Sequence, residues 1–308
     1  MAETMSGAVA PQTRRPMTMK RFVRRRSTIA FFMALPLILL IALLVVYPAF
    51  FSMYLATLNK SMERFVGLGN FEFLFKRDTF WMVVKQSCIF AVSAVFFKAL
   101  IGFVLAHFVH TIPAKGQRKW RGMLLVPWVI PPAMSTLGWF WLFDPTYSAF
   151  NWIFVRIGID PVNWLGEPFW ARFSVILVNI WYGAPFFLIM YLAALKSVPD
   201  QLFEAASIDG ANWWQKIWYI TLPMMRNIIS ITVLFSLIVT FANFDIVRIL
   251  TSGGPVDQTH VFATWAFNLG IQGNDIPLGA SVSLFMFPIL GIAAIFILRG
   301  VNKRGNEA

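Results

Sequence analysis

Two groups of residues in this chain have types and spacing that could do chemistry. The first is a charged island, Glu204–Pro223 (EAASIDGANWWQKIWYITLP), set between two long apolar runs. Glu204, Asp209 and Lys216 share it with Gly210, Pro223 and four aromatic residues. Its chemistry is that of a docking surface. A carboxylate at Glu204 can make a charge-assisted contact to a basic group, the small pair Ala205–Ala206 permits close approach, and Gly210 permits a turn. Helix capping by Glu204 and Asp209 is the other reading of the two acids. The second group is the few polar side chains inside the apolar runs. Asn179 and Tyr182 in one run, and Asn243 and Asp245 in a later one, are the preferred set for a polar path. Ser236, Thr240, Ser281 and Ser283 are further candidates, with Trp139, Trp141 and Trp181 as flat faces. Amide and carboxylate groups beside aromatic faces suit a sugar ring, which has apolar C–H faces and hydroxyl edges. Polar groups at membrane depth mark transport paths, and helix–helix hydrogen bonding is the alternative. No catalytic constellation, phosphate-binding G-x-x-x-x-G-K-[ST] loop or metal-ligand spacing occurs; His107, His110 and His260 do not suggest a common site.

The elements that must position these residues are membrane spans. The chain is 58% hydrophobic and 13% charged, against about 25% charged in soluble domains. Runs of about 20 apolar residues cross the hydrocarbon as helices. The pattern predicts an all-α membrane protein with six transmembrane helices, over about 28–51, 80–110, 122–143, 170–195, 224–250 and 276–298. A basic tail over 1–27 precedes a permeating domain over 28–299, a loop over 196–223 carries the island, and 300–308 closes the chain. The first run is too long for a signal-peptide core. Pro36 and Pro48 are expected to kink it, and Pro127, Pro131 and Pro132 to break span three, which must then be buried or line a wet cavity. Lys85 is near enough to one interface to snorkel. Lys98 lies deeper, facing other protein or snorkelling inward. Cys88, the only cysteine, excludes an intrachain disulfide and reads as a small packing residue.

Charge fixes the orientation. Seventeen Lys/Arg fall in the segments assigned to the inside and five in those assigned to the outside, so both termini and the island are expected on the cytoplasmic side. The net charge of +12 therefore reads as a lipid-facing bias and not as a nucleic-acid surface. Within the island, Asp200 is expected as the N-cap of a short helix with Glu204 in its first turn. Asp209–Gly210 is expected to stop that helix, and Trp213, Trp214, Ile217 and Trp218 to form one apolar face of a second. Pro223 is expected to end this section and open span five.

The order Glu204-Ala205-Ala206, two residues, Asp209-Gly210-Ala211, then Leu222-Pro223 resembles the E-A-A loop of the permease subunits of binding-protein-dependent ABC importers. FVGLGNFEFLF (Phe65 to Phe75), Asp144-Pro145, the N-W-L-G of Asn163 to Gly166 and the T-S-G-G-P from Thr251 are similar to the carbohydrate-uptake group of that family, of the maltose "F" or glycerol-phosphate "A" type. The resemblance implies a type I ABC importer permease fold with a cytoplasmic coupling helix. It implies import of a sugar, oligosaccharide, polyol or glycerol phosphate, with this chain as half of the pathway. It implies a second homologous permease, two ATPase subunits and an external solute-binding protein as partners. No cofactor is expected in this chain, since ATP and Mg would bind the partner ATPase. A bacterial or archaeal inner membrane is implied. An ion-gradient-driven secondary transporter of a small polar solute is the alternative, although it would usually show more spans or internal repeats. A membrane enzyme would need a catalytic cluster, and a scaffold would not need a broken third span.

Overall fold

The computed structural model describes residues 26–146 and 148–305. Arg14 to Arg25 of the expected basic tail lie outside them. Two compact units divide at Phe51/Ser52. The first contains helix α1 (Arg26–Ile41), a π turn (Ala42–Val46) and the start of α2 (Tyr47–Leu55). Pro36 lies inside α1. Pro48 follows the π turn directly, and the Tyr47 N–H reaches back five residues to the Ala42 carbonyl. A proline clashes with the carbonyl four residues before it; the extra residue of the π turn widens the helix at that place.

The second unit is helical, apart from one antiparallel bridge between Leu58 and Phe65, among the described residues. After α3 (Gly69–Phe75) comes the long α4 (Asp78–Thr111). The expected basic loop is itself helical in α5 (Ala114–Leu124). The chain then proceeds through α6 (Val126–Val129) and α7 (Pro132–Leu142), which replace a continuous third span. The cause is the proline run: Ile130 and Pro131 are extended, at ψ 134° and 133°, because residues preceding proline are driven out of the α region. A cap at one end of the helices holds α8 (Ala149–Arg156) before α9 (Pro168–Lys196). Next come α10 (Asp200–Ile208), α11 (Trp213–Lys216), a π turn (Ile217–Thr221) and α12 (Leu222–Phe241). The remainder is α13 (Asp245–Leu250), α14 (Phe262–Phe267), a π turn (Asn268–Gln272), α15 (Ile276–Leu284) and α16 (Met286–Gly305).

Five stretches are long and apolar enough to cross a membrane: Ala30–Leu55, Asp78–Thr111, Pro168–Lys196, Trp213–Phe241 and Ile276–Ile297. Two boundaries differ from expectation. Pro223 does not end a section, because the π turn before it lets one helix run from Trp213 to Phe241, with the Leu222 N–H bonded to the Ile217 carbonyl. The span expected to reach 250 stops at Phe241, where Ala242 to Phe244 leave the helix. The last span carries a hitch at Phe285, three residues before Pro288.

The frame is the parallel pair α4 and α9. Ala91, Ala94, Lys98, Gly102 and Ala106 form a buried stripe along α4 at helical spacing. Small residues let two helix backbones approach closely, and such packing takes the place of the hydrophobic effect between helices in lipid. A Cβ on Gly102 would lie 2.3 Å from the Phe187 Cβ and 3.1 Å from the Leu188 backbone nitrogen. Toward one end, Val109, Tyr191, Leu195, Val198 and Met225 close a core. Toward the other, Phe90, Phe143, Trp164, Val178 and Ile246 close a second. A third joins Phe80, Phe241, Phe262, Trp265 and Val282. The cap at that end is organised by Asn151, whose Oδ1 accepts from the Val162 N–H (3.0 Å) and the Trp164 Nε1–H (3.0 Å).

Candidate functional site

The island is a rigid corner. Its first helix, α10, starts from Pro199 as N-cap, and Asp200 is in the first turn with no side-chain capping bond. Asp200 is therefore not the expected N-cap: Pro199 already holds the extended entry conformation, at φ −62° and ψ 130°, and Asp200 acts only as negative charge at the positive helix end. The far end of α10 is closed by two backbone bonds. The Ala211 N–H donates to the Ala206 carbonyl at 2.8 Å and the Gly210 N–H to the Ser207 carbonyl at 3.1 Å. With Gly210 at φ +75°, this is a Schellman cap, which calls for glycine at the left-handed position. The D-G-A triplet is thus a helix stop spelled out in residues. Asn212 then caps α11 reciprocally with Gln215, at 2.9 and 2.7 Å. Lys216 Nζ donates to Ser207 Oγ at 2.6 Å, tying the two helices together.

Phe203 and Val198 anchor this corner to the core that contains Val109 and Leu195. Glu204, Ala205, Asp209 and Gly210 are exposed, Ala206 and Ala211 half-buried, and Ile208 is 88% exposed. Leu222 and Pro223 belong to the continuous helix that follows. Trp213, Trp214, Ile217 and Trp218 do share a face, and it lines an apolar groove of about 610 Å³ against Phe103 and His107 of α4. The corner stands at the same end of the molecule as the basic helix α5: Lys196 Nζ at the end of α9 donates to Gln117 Oε1 of α5 at 2.9 Å.

The polar path residues converge only in part. Asn179 and Tyr182 of α9 and Asn243, just past α12, line one cavity of about 80 Å³. The Oδ1 atoms of Asn179 and Asn243 are buried there without a hydrogen-bond partner. Asp245 opens α13 and is exposed; it does not line the cavity, although its charge acts on Tyr182. Trp139 and Trp181 pack edge-on against each other, centroids 5.5 Å apart. Trp128, from the proline-broken segment, supplies the aromatic wall, together with Phe186 and Phe235. Ser236 and Thr240 of α12 line it too, and the path set did not include two more lining residues, Lys98 of α4 and Gly183 of α9. A lysine at mid-span was the available signal for the first. Gly183 shows no signal in sequence, because its role depends on which side chain crosses it. Among the described residues no three His, Cys, Asp or Glu side chains group as a metal site.

Comparison with known proteins gives the family. Residues 13–304 match the family described as binding-protein-dependent transport system inner membrane component. A trehalose/maltose transport system permease protein of Thermococcus litoralis is 29% identical over 286 residues, covering 91% of this chain and 96% of that protein. A galactooligosaccharides transport system permease protein of Bacillus subtilis is 28% identical over 292 residues, covering 89% and 70%. A chain in the crystal structure of a bacterial alginate ABC transporter, in complex with an alginate pentasaccharide-bound periplasmic protein, superposes with a TM-score of 0.79. It is 24% identical and the match covers 91% of this chain and 95% of that one, a likeness of fold. The chain belongs to the family of inner membrane components of binding-protein-dependent transport systems, and it is a permease subunit of an ABC importer, a transport component rather than an enzyme.

Proposed function

We propose that this permease imports a sugar-class solute as one half of a paired pore, and that Glu204 to Pro223 is the element through which ATP hydrolysis on partner subunits moves it. The observation that carries the reading is the exposed, doubly capped corner at Ala205–Gln215, hard-packed to the core through Phe203. A stiff lever needs this combination: free outer surface, locked turn and buried root. Glu204 and Asp209 offer carboxylates to a basic docking groove, while Ala205 and Ile208 give a small apolar contact. The partners are a second homologous permease, two ATPase subunits that hold ATP and Mg, and an external solute-binding protein. Both termini and the island face the cytoplasm.

The sugar class is supported by relatives named for trehalose/maltose and galactooligosaccharides. It is also supported by the chemistry of the cavity, with two unpaired amide oxygens, Tyr182 and an indole wall. Alternating opening of this cavity to either side would follow movement of α12, since the second half of the island, from Trp213, and α12 form one helix to Phe241. The test is uptake of a panel of labelled neutral and acidic sugars, maltose, trehalose, galactooligosaccharide and a uronate oligosaccharide, by the assembled complex in proteoliposomes, with ATP hydrolysis followed in parallel on whichever is taken up. Glu204→Ala and Gly210→Pro should each lower coupled uptake by roughly tenfold or more, equivalent to about 1.4 kcal/mol, in complexes that still assemble. Gly210→Pro removes the donor to Ser207 and forces φ to about −65°. Normal transport by both variants would sink the coupling role and return the ion-gradient reading.

A further inference from the structure

Lys98 lies inside the membrane frame with its side chain almost fully enclosed, at 4% exposure. Its Nζ makes one hydrogen bond, to Thr240 Oγ1 of α12 at 2.9 Å. It forms no ion pair among the described residues. An ammonium has three donors, and a buried charge without a counter-charge is costly in a low-dielectric interior. The chain nevertheless builds a seat for this residue. A Cβ on Gly183 would lie 2.7 Å from Lys98 Cδ, 3.0 Å from Cε and 3.2 Å from Nζ. The lysine stem therefore rests directly on the backbone of α9, a place that any larger residue would take from it. The head reaches the same cavity as Asn179, Tyr182 and Asn243, where both amide oxygens lack partners. These neighbours are neutral. The cavity, at about 80 Å³, is well below the roughly 300–1,000 Å³ of sites that enclose a whole small molecule. In this conformation it has room for a substituent and not for a sugar ring.

We propose that this cavity is an anion subsite, in which Lys98 receives an acidic substituent, a carboxylate, sulfonate or phosphate, borne by the transported solute. The inference rests on the reading of the cavity as part of a sugar pathway and names the class of sugar: an acidic one. The anion supplies the counter-charge that no residue lining the cavity provides; Asp245, the acid whose charge reaches Tyr182, stands outside the lining. The orphaned Asn179 and Asn243 oxygens accept from hydroxyls flanking that substituent, and Tyr182 serves as a further polar contact. Thr240 keeps the amine aimed into the cavity while it is empty.

The experiment uses the assembled importer complex in lipid nanodiscs and two probes, sodium glucuronate and glucose, titrated by saturation-transfer NMR. The wild type is expected to bind glucuronate roughly tenfold more tightly than glucose, and Lys98→Gln to bring the two within about twofold by weakening glucuronate alone. If Lys98→Gln fails to assemble, Asn243→Asp replaces it, because a carboxylate added to the same cavity occupies the lysine and should abolish the preference for glucuronate. Glucose binding with no preference for glucuronate in the wild type overturns the anion subsite and leaves the sugar reading standing. A preference that survives the substitution also overturns it. Saturable binding of neither probe overturns both the subsite and the sugar-class reading of the cavity.

Discussion

At the scale of single residues, the segment after Thr251 holds a buried imidazole whose protonation is coupled to loop geometry. His260 is 2% exposed and its ring lies against Gly253, where an added Cβ would come 2.1 Å from the ring Cε1. Gly253 at φ +92° leaves that space open. Nδ1 is 3.0 Å from Thr264 Oγ1 and Nε2 is 3.5 Å from Asp257 Oδ1. Burial holds the imidazole below its ordinary value near 6.5; Asp257 opposes that shift and the Arg248 cation adds to it. A depressed histidine stabilises the fold while neutral. Its contribution is complete above about pH 6.5 and is lost as pH falls from there through the folded value. Amide exchange of residues 252–264, corrected for intrinsic rate, should therefore be slow at pH 7.5 and faster at pH 5.5. His260→Asn should flatten that dependence. Equal protection of the wild type at both values would exclude a titrating role for His260. At this scale the sequence was informative where a residue's function is local. Asp209-Gly210-Ala211 reads as a helix stop because a Schellman cap uses only neighbouring backbone. The seating of Lys98 on Gly183 and the pairing of His260 with Gly253 were not legible. Each joins residues whose contact exists only once the helices or loop have folded.

At the scale of elements, the apolar runs announced the long helices, but prolines and extra residues set their ends. Reading proline as a helix breaker makes Pro223 a boundary, and the apolar run carries span five to 250. The structure instead absorbs Pro223 in a π turn and ends the helix at Phe241. The same device precedes Pro48, so one local solution serves two prolines in different spans. A π turn inserts one residue without changing composition, which leaves nothing for a hydropathy pattern to detect. The breaks at Pro127, Pro131 and Pro132 were legible, since proline acts on its own neighbours. What those breaks accomplish was less so: they turn Trp128 into the cavity wall in place of Trp139, Trp141 and Trp181. The α4–α9 contact yields a prediction at this scale. Gly102→Val would drive a branched side chain into Phe187 and the Leu188 backbone, an overpacking that typically costs about 1–3 kcal/mol. The thermal midpoint of the purified complex should fall by several degrees, with a loss of the monodisperse peak in size-exclusion. Gly138→Val, where nothing lies within 4 Å of the added Cβ, should be tolerated far better. Equal midpoints for Gly102→Val and wild type would mean that the two helices are not held at this crossing.

At the scale of the whole molecule, the two ends of the α4–α9 frame differ in chemistry, and that difference predicts which side each feature faces. One end is built from α5 and the island: Lys115, Arg118, Lys119 and Arg121 lie on or beside the Gln117–Lys196 link. The other end is capped by α8 and α13, with Asn151 holding Trp164 and with Arg172 donating to Gln258 at 2.8 Å. Basic side chains concentrate on the cytoplasmic side of membrane proteins, so the first end should face the cytoplasm and the second the solute-binding protein. The assignment carries the coupling mechanism with it, because an ATPase can reach Glu204 only from inside. It can be measured in a Cys88→Ala background with one new cysteine at a time. Lys119 and Asp160 are both exposed and stand at opposite ends. Asp160→Cys should react with a membrane-impermeant maleimide in intact spheroplasts, and Lys119→Cys only after permeabilisation. Labelling in the reverse order would place the island outside and rule out its contact with a cytoplasmic ATPase. The Lys98 cavity would remain between the two faces, since Lys98 lies on the α4 stripe between the core at Phe90 and the core at Val109. Its depth is independent of orientation, whereas the direction of transport through it depends on which end meets the nucleotide.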